Sequence, residues 1–130
     1  MFSNAWVRHL TLVLLGVALF LGGAVVGQNK FGTPNTLMHT VVIKWKDGVS
    51  EADKQKALDG VKEMAAKIPG MRNVWIKARS IQPREFTHGF VIEFDGPDAE
   101  KVYADHPAHK EWEKHYLSIR EESRHSDFVN

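Results

Sequence analysis

The sequence predicts an α+β domain whose elements follow the order strand, helix, strand, strand, helix, strand. Two observations lead to this order. Apolar residues recur at every second position in three short segments and at helical spacing in two longer ones. Gly and Pro lie between these segments, which places turns there. The predicted domain covers residues 37–130.

The first half of the domain is predicted to hold a strand, a helix and a second strand. The strands cover His39–Lys46 and Met71–Ala78, where apolar and polar residues alternate. Between them, Ser50 followed by Asp53 is typical of a helix N-terminus. Apolar residues then recur at helical spacing, so a helix is predicted over 51–67.

The second half is predicted to repeat this order, with its helical region broken in two. Phe86–Asp95 alternates most regularly of all segments and predicts the third strand. A short helix from Pro97 through Tyr103 and a longer one ending near residue 122 follow, and the last strand lies in His125–Asn130. Two such split βαβ units give a ferredoxin-like antiparallel sheet with helices on one face.

The break between the two helices brings together a phenol and two imidazoles. Pro107 keeps the preceding His106 out of the helical conformation and suits the first turn of a new helix. Tyr103 then ends the first helix, and His109 lies in the first turn of the second. The partial positive charge at that helix end favours a neutral imidazole. His109 is therefore the best candidate for a general base.

Residues 1–27 differ in character from the domain. Within them, residues 10–26 form an uncharged apolar run, which as a helix would be about 25 Å long. That length is close to the minimum for crossing a bilayer and slightly long for a signal-peptide core. The sequence therefore predicts a signal peptide or a membrane anchor over 1–27, a linker over 28–36, and a domain that is exported (periplasmic or extracellular) or membrane-anchored.

Composition narrows the function classes. The 17 Lys and Arg residues nearly balance the 16 Asp and Glu residues, and there is no basic run, so nucleic acid is not a supported partner. Cysteine is absent, which excludes disulfides, thiolate nucleophiles and cysteine metal sites. No cofactor motif is present, and no cofactor is predicted.

Size and surface pattern both predict an oligomer. A domain of roughly 95 residues buries only about two thirds of its unfolded surface, so it gains stability from a partner. Val42 and Val91 fall on the sheet face away from the helices, which would be partly apolar and uncovered. A second copy packing sheet to sheet would cover it, with Trp75 as an anchor of the dimer.

Several of these segments together resemble the stress-responsive dimeric α/β-barrel (Dabb) domain family. The resemblance rests on the first strand, Ile68-Pro-Gly70 after the first helix, the third strand, the Tyr103-x-x-His106-Pro-Ala-His109 element and the closing Asp127-Phe128. It implies a ferredoxin-like protomer and a homodimer, or a higher oligomer, in which two sheets close into a barrel with the helices outside.

The resemblance also implies a site. A polyketide cyclase belongs to this family, and its acid/base pair corresponds to Tyr103 and His109, which are the predicted catalytic residues. Histidines of the first and third strands in the cyclase pattern correspond to His39 and His88. The predicted ligand-binding residues of a small apolar pocket are His39, His88, His106, Phe90 and Trp112.

Each of these residues also has a simpler structural interpretation. A histidine on an apolar strand face, such as His39 or His88, is commonly a core residue satisfied by one hydrogen-bond partner. His106 is a natural cap for the new helix. Tyr103 and His109 could bond one another and lock the corner.

A metal site is the other alternative. His106 and His109 lie three residues apart, and His115 and His125 are near in sequence. Pro107 interrupts the helical geometry that two such ligands need, and no metal site is predicted.

Two functions are compatible with these observations. The first is a dimeric binding or stress-protective module that takes a small apolar or aromatic ligand. The second is a cofactor-free acid/base enzyme, a polyketide-cyclase-like enzyme or isomerase, acting on a small carbonyl compound.

Overall fold

The structure, a computed structural model, describes His9 and residues 35–129 and contains one antiparallel sheet with helices packed on one face. The strands and helices are β1 (Leu37–Trp45), α1 (Glu51–Ala65), β2 (Met71–Trp75), β3 (His88–Phe94), α2 (Pro97–Asp105), α3 (Pro107–Ile119) and β4 (Arg120–Val129). The strand order in the sheet is β2-β3-β1-β4. The predicted element order is confirmed, including the break between the last two helices.

One hydrophobic core lies between the sheet and the helices. Alternate residues of β1 and β3 are buried there, because successive side chains of a strand point to opposite faces. α1 covers this face with an apolar stripe, and its start is capped as predicted, since the Ser50 hydroxyl accepts from the Asp53 N–H at 3.1 Å. The fully buried side chains of largest volume are Phe86, Phe94, Ile43, Ile92 and Val61.

The end of the chain departs from the sequence prediction. α3 ends at Ile119 instead of near residue 122, and β4 starts at Arg120 instead of His125. β4 pairs along the whole of β1, from Trp45 opposite Arg120 to Leu37 opposite Val129. These ladder bonds satisfy the backbone of a polar segment whose own pattern is not strand-like, so tertiary pairing overrides local preference.

The two other strands are shorter than predicted. β2 ends at Trp75 instead of Ala78, and β3 runs over His88–Phe94 instead of Phe86–Asp95. The ladder between them pairs Met71 to Trp75 only with Phe94 to Val91. Residues 76–87 are left to form the connecting loop.

A glycine inside α1 makes room for a tryptophan of α3. A side-chain carbon on Gly60 would lie 2.5 Å from Cδ1 of Trp112. The Trp112 indole N–H donates to the Ala57 carbonyl at 2.8 Å, so the ring packs directly on the α1 backbone. Glycine in a helix interior costs about 1 kcal/mol relative to alanine, and this packing offsets that cost.

We therefore expect Gly60→Ala to destabilise the domain by about 1–3 kcal/mol, although alanine favours the helix, because the added methyl group displaces a packed ring. Denaturant unfolding checks the sign. In a Trp112→Leu background, the same substitution should be neutral or stabilising. A loss of equal size in both backgrounds would contradict the role given to Trp112.

Among His9 and residues 35–129, no helix combines the length and the apolarity that crossing a bilayer requires. Residues 10–26, on which the predicted signal peptide or anchor depends, and linker residues 28–34 lie outside the described residues.

Candidate active site

A cavity of about 160 Å³ lies between the sheet and the helices, where β1, β3 and β4 meet α2 and α3. Three imidazoles, two phenols, one carboxylate and one guanidinium group line it together with apolar side chains. Its lining residues are His39, Val41, Phe90, Tyr103, His109, Trp112, Glu113, Tyr116, Leu117, Arg120, Ser123 and His125. Convergent titratable groups in a concave apolar site are typical of a binding or active site.

His106 forms the joint that builds one end of this cavity. It is the C-cap of α2, where its N–H donates to the Tyr103 carbonyl at 3.2 Å. It is also the N-cap of α3, where its ring Nδ1 accepts from the Ala108 N–H at 3.1 Å. Its backbone is extended, with φ −69° and ψ 137°. One residue therefore ends one helix and starts the next.

The joint brings the rings of Tyr103 and His109 into contact. Their ring centroids lie 4.1 Å apart with 37° between the planes. In one continuous helix, two residues six positions apart would be separated by about 9 Å along the axis. The pairing of these two side chains is thus a product of the break at His106.

The hydrogen bonds of His109 determine which of its nitrogens is free. Nδ1 lies 3.2 Å from the Ala104 carbonyl, and because a carbonyl only accepts, this nitrogen carries the proton. Nε2 then holds the lone pair, 3.9 Å from a Glu113 carboxylate oxygen. The side chain is 12% exposed, and burial lowers the pKa of the imidazole. A neutral histidine with a free Nε2 is suited to accept a proton.

Tyr103 keeps its proton. Its side chain is buried in contact with Phe94, with the ring centroids 5.1 Å apart, and burial raises the pKa of the phenol. The hydroxyl is therefore a donor at neutral pH, as the stabilisation of a developing oxyanion requires.

His39 is held by an acid from the neighbouring strand. The register places it directly opposite Asp127, and its Nδ1 lies 2.6 Å from Asp127 Oδ1. Since the carboxylate accepts, it fixes the ring orientation and directs Nε2 away from β4. The His39 ring centroid lies 6.2 Å from Tyr103 and 5.7 Å from His125.

An aromatic wall completes the cavity. Trp112 stacks between His109 and Tyr116, at centroid distances of 5.8 Å and 4.5 Å. Phe90 meets the same indole edge to face at 5.9 Å. These contacts surround the polar groups with apolar surface and lower the local dielectric.

The structure brings five of the seven predicted site residues together and places His88 and His106 elsewhere. His88 pairs with Ile43 and His39 with Ile92, so the two histidines are about 13 Å apart along the sheet. His88 Nδ1 accepts from the Trp45 indole at 2.9 Å. Its position thus matches that of a satisfied core histidine, and His106 acts as a helix cap.

The cavity beside His88 is larger, about 460 Å³, but less suited to chemistry. Lys62 and Lys77 line it with His88, and no phenol or carboxylate faces that imidazole from its walls. The smaller cavity, where acid and base groups converge, is the better candidate site.

Sequence reasoning missed the part of the site that β4 supplies. Ser123 and His125 share a face with Asp127 because strand side chains alternate, and all three lie opposite β1 residues of the helix-facing side. The signal was present in this alternation. It was not used because the helix was predicted to end near residue 122 and the strand to start only at His125, whereas β4 starts at Arg120.

Among His9 and residues 35–129, no group of three His, Asp or Glu side chains could hold a metal ion. At His106, one member of the alternative metal pair with His109, the ring Nδ1 is engaged in the helix cap.

The lowered pKa values of two histidines predict how stability depends on pH. Burial lowers the pKa of both His88 and His109, whereas an unfolded histidine titrates near pH 6.5. Below about pH 6.5 the unfolded chain binds protons that the folded chain does not, so stability is full above this pH and falls as pH drops through the folded pKa values. We expect the melting temperature to decrease between pH 7 and 5, and to decrease less in a His88→Gln/His109→Gln variant. A melting temperature that rises on acidification would contradict this.

Comparison with known proteins agrees with this fold. The family model described as "Stress responsive A/B Barrel Domain" matches residues 37–130. The chain is 31% identical to olivetolic acid cyclase of Cannabis sativa over 74 residues, which cover 55% of this chain and 73% of the cyclase. A dimeric protein of unknown function with a ferredoxin-like fold from Bacteroides fragilis aligns at 25% identity with a TM-score of 0.60, over 74% of this chain and 97% of that one.

Hydroxynitrile lyase from Passiflora edulis shares the fold at 15% identity with a TM-score of 0.68, over 75% of this chain and 94% of the lyase. Together with the family match, these similarities confirm the ferredoxin-like fold and the family expected from the sequence. The chain belongs to the stress-responsive A/B barrel domain family.

Proposed function

We propose that this protein is a cofactor-free acid/base enzyme that acts on a small carbonyl compound within a dimeric barrel. One observation carries the proposal. His109 commits Nδ1 to the Ala104 carbonyl and keeps Nε2 free, while its ring centroid lies 4.1 Å from that of the buried Tyr103. Removing a proton from the carbon next to a carbonyl group needs a general base and a hydrogen-bond donor for the carbonyl oxygen, and the neutral imidazole and the protonated phenol supply these two groups.

In the proposed reaction, Nε2 of His109 accepts a proton from the carbon next to the substrate carbonyl. The bonding electrons move to the carbonyl oxygen, and the Tyr103 hydroxyl donates a hydrogen bond to the enolate oxygen that forms. In an isomerisation, His109 returns the same proton to another position of the enolate, or to its opposite face. In a cyclisation, the enolate carbon attacks a second carbonyl carbon, the electrons of that C=O bond move to its oxygen, and His109 gives its proton to the alkoxide that forms.

The similarity to a cyclase supports this proposal. Olivetolic acid cyclase is by name a ring-forming enzyme, and the matched segment covers most of its length. Hydroxynitrile lyase shares only the fold at its 15% identity, so it supports the proposal less.

Proton abstraction can be tested before the natural substrate is known. The purified protein is incubated in D2O with aryl ketones such as acetophenone, and proton NMR follows the loss of signal from the carbon next to the carbonyl. We expect exchange faster than in buffer alone, and saturable in ketone concentration. Exchange at the buffer rate for a broad series of ketones would refute the proposed reaction.

We propose a homodimer in which the two sheets face one another. Trp75 lies 48% exposed on the face away from the helices, beside Val91 in the sheet. Exposing apolar side chains of this kind to water is unfavourable, and packing them against a second copy removes them from water. The Bacteroides relative with this fold is described as dimeric.

A second candidate function, a binding or stress-protective module, is favoured by this same surface. Its exposed large apolar residues include Trp75 and Phe128, so assembly is the activity in this alternative. His109→Ala separates the two candidates. It should leave a protective assembly unaffected and abolish proton transfer in an enzyme.

We also propose that residues 1–27 direct export, as a signal peptide or as a membrane anchor, and that residues 28–36 link them to the domain. The support is the uncharged run over residues 10–26. The mass of the chain, measured by mass spectrometry in the membrane and soluble fractions of the organism that makes it, would decide between cleavage and retention of residues 1–27. Full-length chain found only in the cytosol would refute both.

A further inference from the structure

One end of the candidate cavity carries a positive charge and an unsatisfied hydroxyl, and acid/base chemistry at the other end does not use them. Arg120 and Ser123 of β4 and Tyr116 of α3 form this end. The rings of Tyr116 and His109 flank Trp112 at 4.5 Å and 5.8 Å, so they lie at most about 10 Å apart. Both ends are within reach of one small molecule.

The Tyr116 hydroxyl points to a missing partner. The residue is 5% exposed. Burial raises the pKa of its phenol, and Ser123 and Arg120 beside the hydroxyl act in the opposite direction, but the oxygen makes no hydrogen bond of normal geometry with any described residue. A buried hydroxyl without a partner is rare and destabilising, because it has lost its water and gained nothing. Such a group in the wall of a cavity suggests that a ligand supplies the bond.

Arg120 supplies the charge. Its guanidinium group donates to the Ser123 hydroxyl, and its central carbon lies 5.5 Å from the centroid of the Tyr116 ring. Within residues 35–129, no carboxylate lies at ion-pair distance from it. The neighbouring acids have other partners, since Glu121 binds Lys44 at 2.7 Å and Glu122 binds Arg124 at 2.8 Å.

The carboxylate in the cavity wall, Glu113, and the nearby Asp127 do not compensate this charge. Glu113 lies near His109 and Lys110, about 10 Å down α3 from Arg120. Asp127 is bound to His39. Three hydrogen-bond donors therefore lie together: the partly buried Arg120 guanidinium group, the Ser123 hydroxyl and the Tyr116 phenol. Such a set of donors suits a carboxylate.

We propose that the substrate is an oxo acid. Arg120, Ser123 and Tyr116 bind its carboxylate, its middle part lies against Trp112, and its ketone reaches Tyr103 and His109. This inference rests on the proposed acid/base function for the ketone end, while the carboxylate end stands on its own contacts.

Binding of 4-oxo-4-phenylbutanoate and of its neutral amide, measured by titration calorimetry on the full chain, tests the proposal. We expect the acid to bind at least tenfold more tightly than the amide. Arg120→Gln should weaken the acid by roughly tenfold to a hundredfold, as lost charge-assisted hydrogen bonds do, and leave the amide unchanged. Arg124→Gln, which removes the same charge from the same strand outside the cavity, should change neither.

Tyr116→Phe gives an independent readout. It should weaken binding of the acid while raising the melting temperature of the free protein or leaving it unchanged, because the hydroxyl makes no hydrogen bond of normal geometry that the protein could lose. A purely structural tyrosine would lower the melting temperature and leave the affinity intact, which would overturn its assigned role.

The outcomes separate this inference from the proposed reaction. Arg120-dependent binding of the acid without deuterium exchange would sustain the carboxylate site and refute the reaction. Exchange of acetophenone and of the oxo acid at equal efficiency, insensitive to Arg120→Gln, would sustain the reaction and overturn the carboxylate site. Equal affinities of acid and amide would overturn it as well.

Discussion

Replacing His109 with alanine is expected to lower the deuterium-exchange rate at a ketone substrate by about 10²- to 10⁴-fold, the range that a positioned general base contributes. The reason is the free Nε2 of this histidine, which no other group of the cavity replaces in the same position against Tyr103. The measurement is kcat/KM for exchange in D2O. In the wild type, kcat/KM should hold to pH values below 6.5 and then fall, because burial lowers the pKa of His109.

Two further variants distinguish a base from a packing residue. Tyr103→Phe keeps the contact between the rings and removes only the hydroxyl, and a loss of about 10²- to 10³-fold is expected if that hydroxyl binds the enolate oxygen. His115→Ala removes a histidine of the same helix that lies outside the cavity, with Nε2 3.2 Å from the Asp53 carbonyl. It should leave exchange intact. If His109→Ala loses only stability, the ring serves to lock the corner and not to catalyse.

Val91→Asp is expected to dissociate the proposed dimer. Val91 lies between Thr40 and Trp75 in the centre of the outer sheet face. In a dimer with the sheets face to face, the substitution buries an unpaired carboxylate in each copy, which costs several kcal/mol. The dissociation constant should rise by roughly two to four orders of magnitude, as measured by sedimentation equilibrium.

Val102→Asp is the matched control for this experiment. Val102 is 49% exposed on α2, on the helical side of the domain, and the same change there should leave association unaltered. Both variants should keep the circular dichroism of the wild type. A Val91→Asp protein that remains dimeric would show that the copies meet through another surface.

Much of the fold could be predicted from the sequence because its signals are local. Alternation in Phe86–Asp95 and helical spacing over 51–67 each follow from one face turned to a core. The break at Pro107 follows from covalent geometry alone. These signals need no knowledge of distant residues, and all three elements are present with ends shifted by one or two residues.

The site was less accessible, because its composition depends on long-range register. Tyr103 and His109 could be paired from the corner between them, but Arg120 and Ser123 enter the cavity only because β4 pairs along β1 from its first residue. Conversely, His88 shares the inner face with His39 and still falls in another cavity. Parity predicts which face a strand residue occupies and says nothing of its position along that face.

The double cap at His106 has a consequence for any survey of the protein's histidines. Losing it should cost about 1 kcal/mol of helix capping and turn α3 relative to α2, which separates the Tyr103 and His109 rings. Activity would then collapse although His106 lies outside the cavity. A ranking by activity alone would therefore class His106 with His109. The pH dependence of the residual activity distinguishes them: the fall of kcat/KM at acid pH should persist in a His106 variant, which keeps the base, and disappear in a His109 variant, which has lost it.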